Sequence, residues 1–123
     1  MRSPDEVADA LIRAVTHGDL ELAAELYADD ATLWQNTTGA TSTKAQALKT
    51  IGWLSKTLQN IEYRDVRRRV WEGGFVQEHQ LRGGTASGDT LSVDACMVAT
   101  LRDGQIVALH EYMDSAPFAV LRR

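Results

Sequence analysis

Between Ile61 and Asp114 the chain repeats one pattern: short stretches of alternating apolar and polar residues. They are cut by "EGG" (72–74), "GGTASGD" (83–89) and "RDG" (102–104). A period of two places one face of a strand on a core and the other toward solvent. The breaks predict strands at about 61–72, 75–83, 90–102 and 105–114. Asp103-Gly104 between two apolar runs is a strong two-residue hairpin signal.

The first half of the chain is helical by the same kind of argument. In "SPDEVADALIRAVTHGD", Ser3 is a good N-cap, Pro4 suits the first helical position, and Asp5 and Glu6 complement the helix N-terminus. Val7, Leu11, Ala14 and Val15 make one apolar stripe, and Gly18 stops the helix with His17 in its last turn as a charge partner. Asp19 caps a second helix, "LELAAELYA", and "ATLWQN" then reads as a strand. After a Thr, Gly and Ser loop at 37–43, a third helix is expected at about 43–58, with Ala47, Ile51, Leu54 and Leu58 on one face. The order α-α-β-α-β-β-β-β separates helices from a strand meander. That implies an α+β fold with a mostly antiparallel sheet, helices covering one face.

The length of 123 residues fits one domain spanning 1–123. No stretch approaches the roughly 20 apolar residues of a membrane span, and "MRSPDEVADAL" has no apolar signal core. Cys96 is the lone cysteine, so neither an intrachain disulfide nor a cysteine metal cluster is expected. These features lead to the expectation of a cytoplasmic protein with no membrane partner. The net charge of −4 argues against nucleic-acid binding. The basic run "RDVRRRV", Arg64–Val70, is expected to pair with surface or interface acids.

Alternation then sorts the candidates for a pocket. In the last strand Val107, Leu109, Glu111 and Met113 share one face, and Ile106, Ala108, His110, Tyr112 and Asp114 share the other. A carboxylate among apolar neighbours is desolvated and its pKa rises, as expected of a general acid or base. The preceding strand has a wholly apolar face that includes Val93, Ala95, Met97 and Ala99. The strand before that offers Val76, Glu78 and Gln80 on one face, or Phe75, Gln77, His79 and Leu81 on the other. Trp34, Asn36 and Trp53 complete the candidates; alternation in "LWQN" turns Trp34 and Asn36 inward and Gln35 away. His79 and His110 are expected to point away from Glu111, and no third ligand has a convincing spacing, so no metal site is expected.

The stretches "YADDATLWQN" and "LRDGQIVALHEYMDSA" resemble the SnoaL-like and NTF2-like proteins, among them ketosteroid isomerases, polyketide cyclases and limonene-1,2-epoxide hydrolases. The resemblance covers essentially the whole chain. It implies a cone-shaped α+β fold whose curved, mostly antiparallel sheet wraps around helices and an internal pocket. In the epoxide-hydrolase type, a Tyr-Gln-Asn ends the first strand, and "WQN" matches it at Gln35 and Asn36. The last-strand acid falls on Glu111 in "LHEYMD". A gapless count puts Glu78 and Gln80 at that family's Arg-x-Asp pair, so the bridging arginine and the proton-donating aspartate are missing. Against the ketosteroid isomerases, Asn36 stands at the aspartate base, and an amide cannot abstract a proton at neutral pH.

Two functions remain open on the sequence. One is an enzyme that performs acid/base chemistry on a small hydrophobic, oxygen-bearing molecule without a cofactor. Its main group would be Glu111, with Asn36, Glu78 and Gln80 as further catalytic residues. Trp34, Trp53, Val93, Met97, Leu109 and Met113 would shape its cavity. The other is a non-catalytic ligand-binding or assembly module on the same fold. The outer sheet face, with Gln77, His79 and Val98, is expected to form a homodimer surface.

Overall fold

The structure is a computed structural model that describes residues 1–122. Its elements are α1 (Pro4–His17), α2 (Leu20–Leu26), β1 (Tyr27–Gln35), β2 (Thr41–Thr43), α3 (Lys44–Thr57), β3 (Gln59–Trp71), β4 (Gly74–Gly84), β5 (Thr90–Arg102) and β6 (Gln105–Met113). A 3-10 segment, Ala116–Arg122, closes the described chain. The expected α+β architecture is present, and the N-terminal block is capped as its residues dictate. Ser3 Oγ accepts from the Glu6 amide while the Glu6 carboxylate accepts from the Ser3 amide, a reciprocal capping box.

The six strands form one curved, open sheet in the order β2-β1-β6-β5-β4-β3. All pairings are antiparallel except that of β1 with β6. The meander puts β6 beside β5, and β1, arriving from the helical block, adds to its free edge. The Asp103-Gly104 hairpin forms as expected, with φ of 52° and 74°, the signs a type I′ turn requires.

Two boundaries differ from the sequence reading. The second helix ends at Leu26, and Tyr27 already pairs with Ile106 in the sheet. Thr41–Thr43, within the expected loop, forms a short edge strand against β1. Both changes satisfy backbone groups along the β1 edge that a loop would leave unpaired.

The α1 stripe of Val7, Leu11, Ala14 and Val15 is buried against Ala47 and Ile51 of α3 and the concave face of the sheet, where Phe75, Met97, Ala99 and Ile106 meet it. Each large side chain fully buried here contributes roughly 1.5–3 kcal/mol. A second cluster, of Leu58, Leu91 and Val93 with Met113, Phe118 and Leu121, closes the other end.

β3 carries two bulges. Between Gln59 and Glu62, and again between Arg64 and Arg67, it advances three residues while β4 advances two. Asn60 and Asp65 take up the extra residue in the left-handed region, at φ 54° in each case. Each bulge bends the strand around the helices and reverses which residues face inward. Tyr63 and Arg68, five apart, therefore stand on the same side, opposite Leu81 and Gln77.

Candidate active site

A cavity of about 370 Å³ lies between the concave face of the sheet and helices α1 and α3. Its walls are mostly apolar with a few convergent polar groups, the usual make-up of a small-molecule site. Val93 and Met97 of β5, and Leu109 and Met113 of β6, line it as the alternation argument expects. Trp53 of α3 also lines it, and at 49% exposure it stands at the opening.

Glu111 projects into this cavity from β6. It is half-buried, facing the open cavity, and the surrounding protein strips it of solvation. Loss of solvation pushes its pKa up, and hydrogen bonding to the Gln35 side chain opposes the rise as the smaller effect. The same carboxylate, secondarily to burial, raises the pKa values of Tyr27 and Tyr63. Both phenols therefore stay neutral and remain hydrogen-bond donors near the acid.

The first-strand assignment is reversed. The β1–β6 register pairs Leu33 with Leu109 and Gln35 with Glu111, so Leu33 and Gln35 face the cavity. Trp34 pairs with His110, and its indole packs on the outer face against His110 and Tyr112, with ring centroids 5.6 and 5.3 Å apart. It is also among the residues that line the cavity, as expected. Asn36 is exposed, and its carboxamide copies a strand partner. Its Nδ2 donates to the Met113 carbonyl at 3.0 Å, and its Oδ1 accepts from the Met113 amide at 2.9 Å. The amide expected to hold water or substrate holds the end of β6 instead.

The β4 assignment is also corrected. Gln77, His79 and Leu81 pair with Met97, Ala95 and Val93, whose side chains face the cavity side, so this set points inward. Glu78 pairs with Cys96 and is exposed, and Gln80 donates to Asp94 at 3.2 Å on the outer face. Turning the other face inward would have placed a second carboxylate beside Glu111 in an apolar chamber. The expected outer-face role of Gln77 and His79 falls with it, since they are 1% and 6% exposed. The gapless count named residues of the outward face of this strand. The signal that would have found the inward set is the pair Phe75 and Leu81, the larger apolar residues of this strand.

A smaller shift occurs in β6. The β5–β6 register slips near Leu101, so Ile106 is fully buried in the core although it was expected on the outer face.

His79 sits against Tyr63, with ring centroids 4.5 Å apart, and burial pushes its pKa down to about 4. It is a neutral imidazole at physiological pH. The polar groups that line the cavity include Glu111, Gln35, Tyr27, Tyr63 and His79, with Thr37, Ser42, Thr50, Ser115 and Arg122 also in its wall. Of these, the sequence reading placed only Glu111 in the cavity. Among the described residues, no three His, Cys, Asp or Glu side chains are grouped to hold a metal ion. No helix among them is long and apolar enough to cross a membrane.

The arrangement has counterparts. The profile of the SnoaL-like domain matches residues 8–109. No curated protein matches the chain's sequence. IdmH of Streptomyces antibioticus, provisionally assigned as a polyketide cyclase, superposes with a TM-score of 0.82 at 20% identity, covering 98% of this chain and 99% of its own. A provisionally assigned isomerase of Bacillus subtilis gives 0.81 at 16% identity, with 97% and 91% covered. A protein of ketosteroid isomerase-like fold from Catenulispora acidiphila, in complex with trimethylamine, gives 0.76 at 18% identity, with 90% and 86% covered. At these identities the likeness is one of fold.

Proposed function

The chain belongs to the SnoaL-like domain family, and from that premise we propose that its cavity catalyses proton transfer on a small, largely apolar molecule carrying a carbonyl oxygen. Glu111 is the base. Its carboxylate takes a proton from the carbon next to the carbonyl; the C–H electron pair forms a carbon–carbon double bond, and the carbonyl oxygen takes the charge. Where a carbon–carbon double bond lies next to the proton-losing carbon, the enolate takes the proton back from the Glu111 carboxyl at the far end of that bond, an isomerisation; alternatively it attacks a second carbonyl of the same molecule, whose oxygen takes the proton back from Glu111, an aldol ring closure. Neutral donors around the acid, the Tyr27 and Tyr63 hydroxyls and the His79 ring, are suited to the oxygen.

The observation that carries this reading is the raised pKa of Glu111 in an apolar cavity. A carboxylate whose pKa is raised by lost solvation is a stronger base than one in water. Epoxide opening fits less well, because among the described residues no second carboxylic acid lines the cavity to protonate the departing oxygen.

The test needs no knowledge of the natural substrate. Enolisable ketones are incubated with the protein in heavy water, and deuterium uptake next to the carbonyl is followed by NMR. Uptake by wild type and not by Glu111→Gln is the expected result. If ketones quench tryptophan fluorescence on binding yet exchange no faster than in buffer, the protein is a non-catalytic ligand-binding module.

We also propose a homodimer through the outer sheet face, where Val98 and Tyr112 are 38% and 43% exposed. Sedimentation should give twice the chain mass of 13.6 kDa, and Val98→Asp should halve it.

A further inference from the structure

A line of hydrogen bonds runs from the surface of α1 to the cavity wall. Asp5 and Asp9 both accept from Nη1 of Arg68, at 3.2 and 2.9 Å. Arg68 Nε donates to Gln77 Oε1 at 2.9 Å, and Gln77 Nε2 lies 3.0 Å from His79 Nδ1. The β3 bulge at Asp65 makes the line possible, because it turns Arg68 inward to face Gln77.

Every bond in the line has only one direction. A guanidinium offers donors and no acceptor, so Gln77 must present its oxygen to Arg68. The Gln77 NH₂ then faces His79, and an NH₂ can only donate. Nδ1 is therefore the accepting nitrogen, and the ring proton sits on Nε2. An imidazolium would set N–H against N–H, so the line opposes protonation in the same sense as burial does. Gln77 is 1% exposed, and a carboxamide so deeply buried has no water to turn toward. Nε2 has no hydrogen-bond partner among the described residues, and His79 lines the cavity.

We propose that Arg68 is a positioning residue that acts through Gln77 to lock His79 as the neutral Nε2–H tautomer, making it a fixed hydrogen-bond donor to the carbonyl oxygen of the bound molecule. The donor role rests on the proton-transfer reading of the cavity; the tautomer lock does not. Neutrality matters because Glu111 shares the chamber. A histidinium would attract the carboxylate and lower its basicity, whereas a neutral N–H stabilises an oxyanion and leaves the base intact. The titratable groups around the ring are Tyr63 on β3, tilted against it at 44°, and Glu111, Tyr27 and Arg122, which line the same cavity.

The experiment is nitrogen NMR of protein labelled in its histidine rings, with His79→Gln to assign the signal apart from exposed His17 and His110. Wild type at pH 7 should show a pyrrole-type Nε2 and a pyridine-type Nδ1 for residue 79. Gln77→Glu keeps an acceptor for Arg68 and replaces the donor facing His79 by an acceptor, so the ring proton should move to Nδ1. Arg68→Met should leave a mixture of tautomers. Deuterium exchange into a bound ketone should fall about a hundredfold in Gln77→Glu, the loss expected for one oxyanion donor. A wild-type ring with its proton on Nδ1, or on both nitrogens, overturns the proposal. So does a Gln77→Glu ring that keeps the wild-type tautomer. The locked tautomer in a wild type that exchanges no ketone upholds the lock and removes the catalytic reading instead.

Discussion

Gln35 and Glu111 are register partners across the single parallel pairing of the sheet, and both side chains line the cavity, where the Gln35 carboxamide holds back the rise in the acid's pKa. The neighbouring carboxamide eases the placement of an acid in an apolar chamber. One donor limits the cost of ionisation, and desolvation still exceeds it and keeps the pKa raised.

Glu111→Gln preserves shape and removes the base. Exchange of ketone protons should drop by about 10²–10⁴-fold, the usual range for a positioned general base. Ligand affinity, read from tryptophan fluorescence, should change less than tenfold. Equal loss of affinity and exchange would make Glu111 a binding group only.

Stability should vary with pH in two opposed ways. At pH below about 4.3 the Glu111 carboxyl is protonated in both folded and unfolded chains. As pH rises from there through its raised folded value, the unfolded chain loses its proton more readily, so stability declines. His79 acts in the other direction. It is neutral in both states above pH 6.5, and as pH falls toward its folded value of about 4 only the unfolded chain takes up a proton. That side should cost about 3 kcal/mol by pH 4. Urea unfolding from pH 4 to 8 checks both: Glu111→Gln should remove the decline with rising pH, and His79→Gln should reduce the loss on acidification.

Asn36→Ala separates a structural amide from a catalytic one. It deletes both bonds to the Met113 backbone and should lower stability by about 1 kcal/mol. Ketone exchange should stay within a few fold of wild type. A drop of a hundredfold would restore Asn36 to the catalytic set.

Gly74→Ala probes the register that turns β4. A Cβ at Gly74 would strike the Ala99 carbonyl on β5 and lie 3.1 Å from the Trp71 ring. Neither backbone can yield without breaking the pairing that aims Gln77 and His79 inward, so unfolding in urea should register a loss of about 3 kcal/mol. A tolerated alanine would mean that the hairpin start is free to shift.

The order of elements, the helix caps at Ser3 and Asp19, the Asp103-Gly104 hairpin and the inward position of Glu111 were all legible in the sequence. Each depends on local chemistry or on a period that runs unbroken through a single element. Which face of β4 and β1 points inward was not legible. Alternation divides a strand into two faces but gives neither a label, and shifting an assumed register by one residue exchanges them. Here the partner strands made the choice, with Met97 and Ala95 fixing Gln77 and His79, and Leu109 and Glu111 fixing Leu33 and Gln35. The line from Asp5 and Asp9 to His79 lay further out of reach, because it joins α1, β3 and β4 across a bulge that reverses the parity of β3. The residue types of the site come from the sequence, whereas their convergence comes from pairings between strands distant along the chain, which only the closed tertiary packing can select.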